Sequence, residues 1–343
     1  MGPSHYYLFI MGITIKDIAE RAKVAPSTVS RALNSRGRMS KATRERICQI
    51  ARELDYYPNI NAKGLATNKT GNIGIVINKR HRPFLSSFYG MIIMGVEEEA
   101  ENQGYHLIFS TTDGGPSLPR CVKERRIDGL ILMGCDICKD LILSLKDTPL
   151  VLVDNHLEGV NSIAIDNIGG AYKAVEYLIT LGYRKIGFIA ERFSDLSFWE
   201  RFAGYKLALE DHGIEYGADL VAEGLTRPDH GYVAMKKLLE REAPPAVFAA
   251  NDSTAVGAIK AIKEEGLKVP DDIAVVGFDD GVVAPHTDPP LTTVRVFRKR
   301  MATTAAKRLI ELIENPDQPA IGLKLPTKLV IRQSCASTRK LRV

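Results

Sequence analysis

The stretch Thr14-Ile-Lys-Asp-Ile-Ala-Glu-Arg-Ala-Lys-Val-Ala-Pro-Ser-Thr-Val-Ser-Arg-Ala-Leu-Asn34 holds two short helical patterns joined by a tight connection. Thr14 is placed to cap the first helix, with Asp17 near its positive end. Ile15, Ile18, Ala19 and Ala22 recur at helical spacing and make a small apolar face. Val24 plugs into that face, and Pro26 suits the first turn of the second helix, where a missing N–H costs nothing. Val29, Ala32 and Leu33 then point inward. Ser27, Thr28, Ser30, Arg31 and Asn34 point outward, a set of short hydrogen-bonding side chains and one arginine suited to base edges in a major groove. A third helix begins at Ser40, and its Ile47, Ile50, Ala51 and Leu54 close a three-helix core. The pattern is that of a helix-turn-helix.

Charge is distributed to match. Residues 11–70 carry 12 Lys and Arg against 5 acids, a net +7, while residues 71–343 carry −2. A phosphate backbone would lie against the basic part. The same charges would also suit the solvated face of a small helical domain, but that leaves the ordered motif unexplained.

The chain of 343 residues exceeds one typical domain. Mean hydropathy is −0.08, and no apolar run reaches membrane-spanning length. Residues 1–11 read as an N-terminal extension, without the basic start of a secretory signal. Five scattered cysteines, an odd number, suit a reducing cytosol, so the chain is expected to be cytoplasmic with no membrane partner.

From Gly71 the pattern changes to an α/β alternation. Ile73–Ile77, His106–Phe109, Asp128–Met133, Pro149–Val153, Lys185–Ala190, Ala246–Ala250 and Ile273–Gly277 are strand candidates. Helices are expected over 88–102, 169–181, 199–212, 229–241 and 253–265. Continuous apolar strands between amphipathic helices imply parallel sheets covered on both faces. Ligands in such folds bind beyond the C-terminal ends of strands. Asp154-Asn155, Asn251-Asp252 and Asp279-Asp280 follow three of them, and Arg201 lies in Phe198-Trp-Glu-Arg-Phe-Ala-Gly-Tyr205. Carboxylates, an amide and an arginine suit the hydroxyl pairs of a polyol, and an aromatic ring suits its apolar face. Phe88 and Trp199 are the aromatic candidates. Asp252 would serve equally well as a helix N-cap and Asp280 as a turn cap. No arrangement of nucleophile and base, and no phosphate-cradling loop, points to catalysis, and no cofactor is expected.

These blocks, with Tyr57-Pro-Asn59, Ala62-Lys-Gly-Leu65, Val276-Gly-Phe-Asp-Asp280 and Pro290-Leu-Thr-Thr-Val294, resemble the LacI/GalR family of bacterial transcription repressors over residues 13–335. The resemblance implies a two-lobed effector domain similar to periplasmic sugar-binding proteins, and a hinge that becomes helical on operator DNA. The implied layout is a headpiece over 12–58 and a hinge over 59–70. A first lobe follows over 71–165 plus 293–325, and a second over 166–292 plus 326–337, with crossings near 164–167, 290–293 and 324–327. By the same resemblance Ser27 and Arg31 read bases, while Thr14, Ser30, Asn34, Ser40, Thr43, Tyr56 and Asn59 reach phosphates or position the headpiece. Thr28 and Ala62 join the DNA-binding set, and Leu65 wedges into the minor groove. Arg201, Asn251, Asp279 and Asp154 would hold the effector, with Phe88 and Trp199. The partners so implied are double-stranded operator DNA, a small sugar or sugar-phosphate effector, and a second copy of the chain, since one headpiece covers one half-site.

Some features depart from the family pattern. Loop 78–87 is longer and basic, and Lys79, Arg80, His81 and Arg82 either form a solvated loop over the cleft rim or could attract a phosphate group on the effector. The segment 113–126 is shorter and leaves room for a stub of helix. Cys135-Asp-Ile-Cys138 supplies half the ligands of a zinc site, and no nearby histidine completes it. Two other functions share parts of the pattern. A solute-binding protein would have this core but would leave residues 14–65 without a role, and a regulator could instead answer to a phosphorylated partner protein.

Overall fold

The computed structural model describes residues 13–33, 37–56, 69–81, 87–191, 193, 195–224 and 229–335. The chain divides into two compact units, residues 1–70 and 71–343.

The first unit contains α1 (Ile15–Ala22), α2 (Pro26–Leu33) and α3 (Lys41–Glu53). Ile18, Ala19, Ala22, Val29, Ala32, Ile47 and Ala51 form its buried core, closed by Ile15, Val24, Leu33, Ile50, Leu54 and Tyr56. At the start of α1 the Asp17 carboxylate accepts from the Thr14 N–H at 2.7 Å and from its hydroxyl at 2.6 Å. These bonds hold the Asp17 carboxyl below its ordinary pKa. Helix α1 stops at Lys23, whose φ of 51° is left-handed. Arg46 of α3 donates to the Ala22 carbonyl at 2.9 Å, which satisfies an end of α1 from a neighbouring helix. Ser40 caps α3 by accepting from the Thr43 N–H at 3.1 Å.

The second unit is built on two six-stranded sheets. The first lobe contains β1 (Asn72–Asn78), α4 (Ser87–Asn102), β2 (His106–Thr112), α5 (Arg120–Lys123), β3 (Gly129–Met133), α6 (Lys139–Ser144), β4 (Leu150–Val153) and β5 (Asn161–Ile165). The second contains α7 (Asn167–Thr180), β6 (Ile186–Ala190), α8 (Leu196–Asp211), β7 (Val221–Glu223), α9 (His230–Arg241), β8 (Ala246–Ala249), α10 (Asp252–Glu264), β9 (Ala274–Asp279) and β10 (Thr292–Arg295). The chain then returns through α11 (Arg298–Glu314) and β11 (Gly322–Leu325) to the first lobe, and ends with β12 (Lys328–Val330) in the second. The first sheet has the order β11-β5-β4-β3-β1-β2 and the second β12-β10-β9-β8-β6-β7. Every pairing is parallel except β10 with β12.

The central strands are buried along their length, so their side chains are apolar on both faces. One large cluster joins α4, α7, α8 and α11 to the inner strands of both sheets, while separate clusters fill the outer faces. Helices α7 and α8 approach so closely that a Cβ on Gly204 would lie 2.3 Å from the Ile168 carbonyl oxygen, and only glycine fits there.

The second crossing lies later than expected. Thr292 pairs with Val276 and Arg295 with Asp279, so β10 belongs to the second sheet. The chain leaves that lobe after Arg295, not at 290–293, because buried Thr292, Thr293 and Val294 add a strand beside β9 first. The shortened segment 113–126 forms only the four-residue α5.

Candidate functional site

The headpiece presents α2 to solvent along one side. Val29 and Ala32 are buried, Ser27 and Arg31 are exposed, and Thr28 and Ser30 are half-buried. Arg31 Nε donates to the Ser27 carbonyl at 3.2 Å, which folds the guanidinium back along its own helix. Thr14 and Ser40 are exposed at the starts of α1 and α3, where unsatisfied N–H groups gather. Thr43 and Tyr56 are half-buried, and Tyr56 packs on the headpiece core. Their side chains therefore contribute to the headpiece itself. Asn34, Asn59, Ala62 and Leu65 lie outside the described residues.

In the second unit the strand ends converge on a buried polar cluster. Arg201 stands in the second turn of α8 rather than at its start, and is 3% exposed. Its Nε donates to Asn167 Oδ1 at 2.9 Å and its Nη1 to the Ala250 carbonyl at 2.6 Å. Its Nη2 lies 3.3 Å from Asp279 Oδ1, and its guanidinium stacks 3.8 Å from the centre of the Phe278 ring. Burial above all, and then the charge of Asp154, push Asp279 up to about 6 against the pull of Arg201 and Arg298. Arg298 also donates to the backbone carbonyls of Asp279 and Asp280 at 2.9 and 2.7 Å. The two aspartates have φ of 113° and 50°, strained values for non-glycine residues, and Arg298 pins the turn they form.

Asp154 faces this group from the first lobe. It follows β4 with φ of 54° and is buried. Tyr89 of α4 donates to Oδ2 at 2.7 Å, and Ser197 of α8 donates to Oδ1 at 3.1 Å. Burial raises its pKa despite these bonds and the charge of Arg201. Asp154 and Asp279 therefore belong to one polar region between the lobes, with Arg201 beside them.

The other three expected residues have partners within the fold. Asn251 is the N-cap of α10, and its side-chain oxygen accepts from the Thr254 N–H at 2.8 Å, so one end of the amide is engaged in the fold. Trp199 is 51% exposed and packs with Phe202 and Lys206. Two positions from Arg201, it points to the other side of the helix. The aromatic faces near Arg201 are those of Phe278 and Phe198 instead. Phe88 is half-buried, edge-on to Tyr89 at 5.0 Å.

The neighbouring carboxylates have structural partners. Asp252 is not a cap but accepts from the Gly281 N–H at 2.6 Å and the Thr293 hydroxyl at 2.5 Å. Asp280 accepts from Arg295 at 2.6 Å and Arg332 at 2.7 Å. Burial opposes its ionisation, but these arginines hold it below the ordinary value.

The basic loop is largely neutralised. Lys79 pairs with Asp113, Arg80 with Asp136 and Asp195, and His81 with Asp136. Arg82 lies outside the described residues. Cys135 and Cys138 are both free thiols. Burial, and then the charge of Asp154, push Cys135 up to about 12, so its thiol stays protonated at neutral pH. Among the described residues no group of three or more potential ligands could hold a metal ion. No helix among them is long and apolar enough to cross a membrane.

Sequence reasoning missed Tyr89, Asn167, Ser197, Phe278 and Arg298. Each meets the cluster only through long-range packing, and no local spacing marks it. Adjacency to Asp279 was the single available signal for Phe278.

Comparison with known proteins fits both units. A family model for bacterial regulatory proteins of the lacI family matches residues 14–59, and one for a periplasmic binding protein-like domain matches residues 175–335. The HTH-type transcriptional repressor PurR of Histophilus somni is 32% identical over 331 residues, covering 94% of this chain and 98% of that protein. A similar relative from Pasteurella multocida is 32% identical over 335 residues, covering 94% and 99%. Among solved structures, the lac repressor dimer bound to operator and the anti-inducer ONPF superposes with a TM-score of 0.83 at 28% identity, covering 95% of this chain and 99% of that one. A complex of the transcriptional regulator CelR with cellobiose gives 0.71 at 32% identity, covering 94% and 100%. With a lacI-type headpiece, a two-sheet binding-protein core and a repressor relative aligned along nearly its whole length, the chain belongs to the LacI family of transcriptional repressors.

Proposed function

We propose that this repressor binds operator DNA as a homodimer and releases or tightens its grip in response to a neutral polyhydroxylated ligand, a small sugar, held between the two lobes. The observation that carries this reading is the Arg201–Asp279 pair at the strand ends, with Arg201 buried and Asp279 half-buried, faced by Asp154 from the other lobe. A guanidinium fork beside two carboxylates offers donors and acceptors to adjacent hydroxyls in a dry setting, where each bond is strong. Asn251 keeps its amide N–H groups for the same ligand while its oxygen caps α10. Neutral ligands appear in relatives too, as in the CelR–cellobiose complex.

A phosphorylated sugar fits less well. Lys79, Arg80 and His81 already face Asp113, Asp136 and Asp195, so a phosphate would have to displace carboxylates. On the DNA side, Ser27 and Arg31 read bases, with Thr28 beside them. Thr14, Ser30, Asn34, Ser40, Thr43, Tyr56 and Asn59 reach phosphates or position the headpiece, Ala62 belongs to the DNA-binding set, and Leu65 enters the minor groove. The relatives are repressors, which supports regulation over catalysis.

Calorimetric titration of the full chain with paired neutral sugars and their phosphate esters tests the ligand class. Tighter binding of a neutral sugar, independent of salt, is expected. Preference for the ester with strong salt dependence would overturn this reading.

A further inference from the structure

Arg80 sits in the single turn, Lys79–His81, that follows β1 in the first lobe. Its own N–H donates to Asn78 Oδ1 at 3.0 Å, which fixes the turn. Its Nε lies 2.5 Å from Asp136, in the loop after β3 of the same lobe. Its Nη2 lies 2.6 Å from Asp195, which belongs to the second lobe. One guanidinium therefore ties two loops of the first lobe to the second.

The partners are prepared for this. Asp195 occupies the N-cap position of α8 but makes no capping bond to its own helix. Its carboxylate serves the interlobe contact instead. Asp136 is also held by His81 at 2.7 Å, and His81 packs 4.8 Å from Tyr89, which bonds Asp154. The side chains are shielded: Arg80 is 29% exposed, Asp195 12% and Asp136 8%. A charged pair so covered is screened less by salt than a surface pair. Helix α8, which begins at the tie, also carries Ser197 and Arg201.

We propose that Arg80 and Asp195 form a latch across the mouth of the cleft, which holds the lobes closed over the Asp154–Arg201–Asp279 region and sets how readily they open. The consequence for ligand response rests on the cleft being the effector site. The latch itself does not, and it is testable without ligand. Arg80 acts here as a positioning residue, because its planar fork reaches two carboxylates at once. Lobe opening that a ligand must accompany or oppose shifts the balance of conformations available to it.

The test is hydrogen exchange on the ligand-free full-length chain, read over residues 134–138 and 195–199. Arg80→Gln and Asp195→Asn should each raise exchange several-fold in both segments, with a larger radius of gyration in solution scattering. The double variant should do no more than Arg80→Gln alone, because the Arg80–Asp195 contact is already lost in that single variant. Lys79→Ala breaks the pair with Asp113 in the same turn and should leave both segments unchanged. Asp195→Asn is isosteric and Arg80→Gln keeps a polar side chain, and a retained thermal transition shows that the chain still folds. Exchange that rises only in the first lobe for Arg80→Gln, no change in Asp195→Asn, or additive effects in the double variant would overturn the latch. Ligand titration of the same variants separates the two readings: a latch without a sugar site would alter exchange while no sugar binds.

Discussion

Arg201 and Asp279 meet at 3.3 Å in a buried setting, one from α8 and the other from the last position of β9. Arg201 also bonds Asn167 and Ala250, so it is part of the lobe's framework as well as of the proposed site. Removing one member of a buried pair leaves an uncompensated charge. Arg201→Ala should therefore cost about 3–5 kcal/mol of core stability. Asp279→Asn keeps the shape and should weaken sugar binding by roughly 10-fold or more, as expected for a lost charged hydrogen bond. Urea unfolding and calorimetry separate the two. Equal stability of Arg201→Ala and wild type would contradict the framework role.

In the headpiece, Arg31→Ala should weaken operator binding by roughly 1–3 kcal/mol and relax sequence preference. Its side chain rests on the Ser27 carbonyl without DNA, a bond easily exchanged for a base edge because both residues are exposed. Titration against matched and scrambled duplexes reads this. An unchanged specificity ratio would remove Arg31 from base reading.

Ser40→Ala should lower headpiece stability by about 0.5–2 kcal/mol through loss of the N-cap of α3. Ser40→Asp should retain most of it, since aspartate also caps. Operator affinity should track this loss at temperatures near unfolding, and thermal melts of the two variants provide the check.

The helical headpiece was legible because its apolar residues repeat at 3.6 and its caps are local. Central strands were legible as unbroken apolar runs. What escaped were short or edge strands. β5 reads Asn-Ser-Ile-Ala-Ile and β11 is largely exposed, so neither carries a continuous apolar signal. The late crossing followed from missing β10. The site itself was half legible. Asp154, Arg201 and Asp279 stand at strand ends or in a recognisable block. Asn251 also stands at a strand end, but the capping of α10 by its oxygen was not legible because Asp252 fitted the cap equally well in sequence. Trp199 is near Arg201 in sequence, but helix geometry turns it away from Arg201. The pairing of Lys79 and Arg80 was not legible because their partners, Asp113, Asp136 and Asp195, are remote in sequence.

Asp252 is 3% exposed, and burial, with the charges of Asp279 and then Asp280, pushes it up to about 7 from the ordinary 3.8. Bonds from Thr293 and Gly281 oppose the rise without cancelling it. Between those two values the folded chain holds a proton that the unfolded chain has released. The stabilisation from this group is therefore full below about pH 4 and is lost as pH rises through about 7. The slope is about 1.4 kcal/mol per pH unit at its steepest. Asp252→Asn carries no such proton, and its amide can accept from Gly281 and donate to the Thr293 oxygen. Urea unfolding from pH 4 to 8 should show wild type losing stability relative to the variant as pH rises. Taking the difference between the two chains removes the contributions of groups that do not interact with Asp252. Parallel curves would mean that Asp252 is already ionised in the folded state across this range.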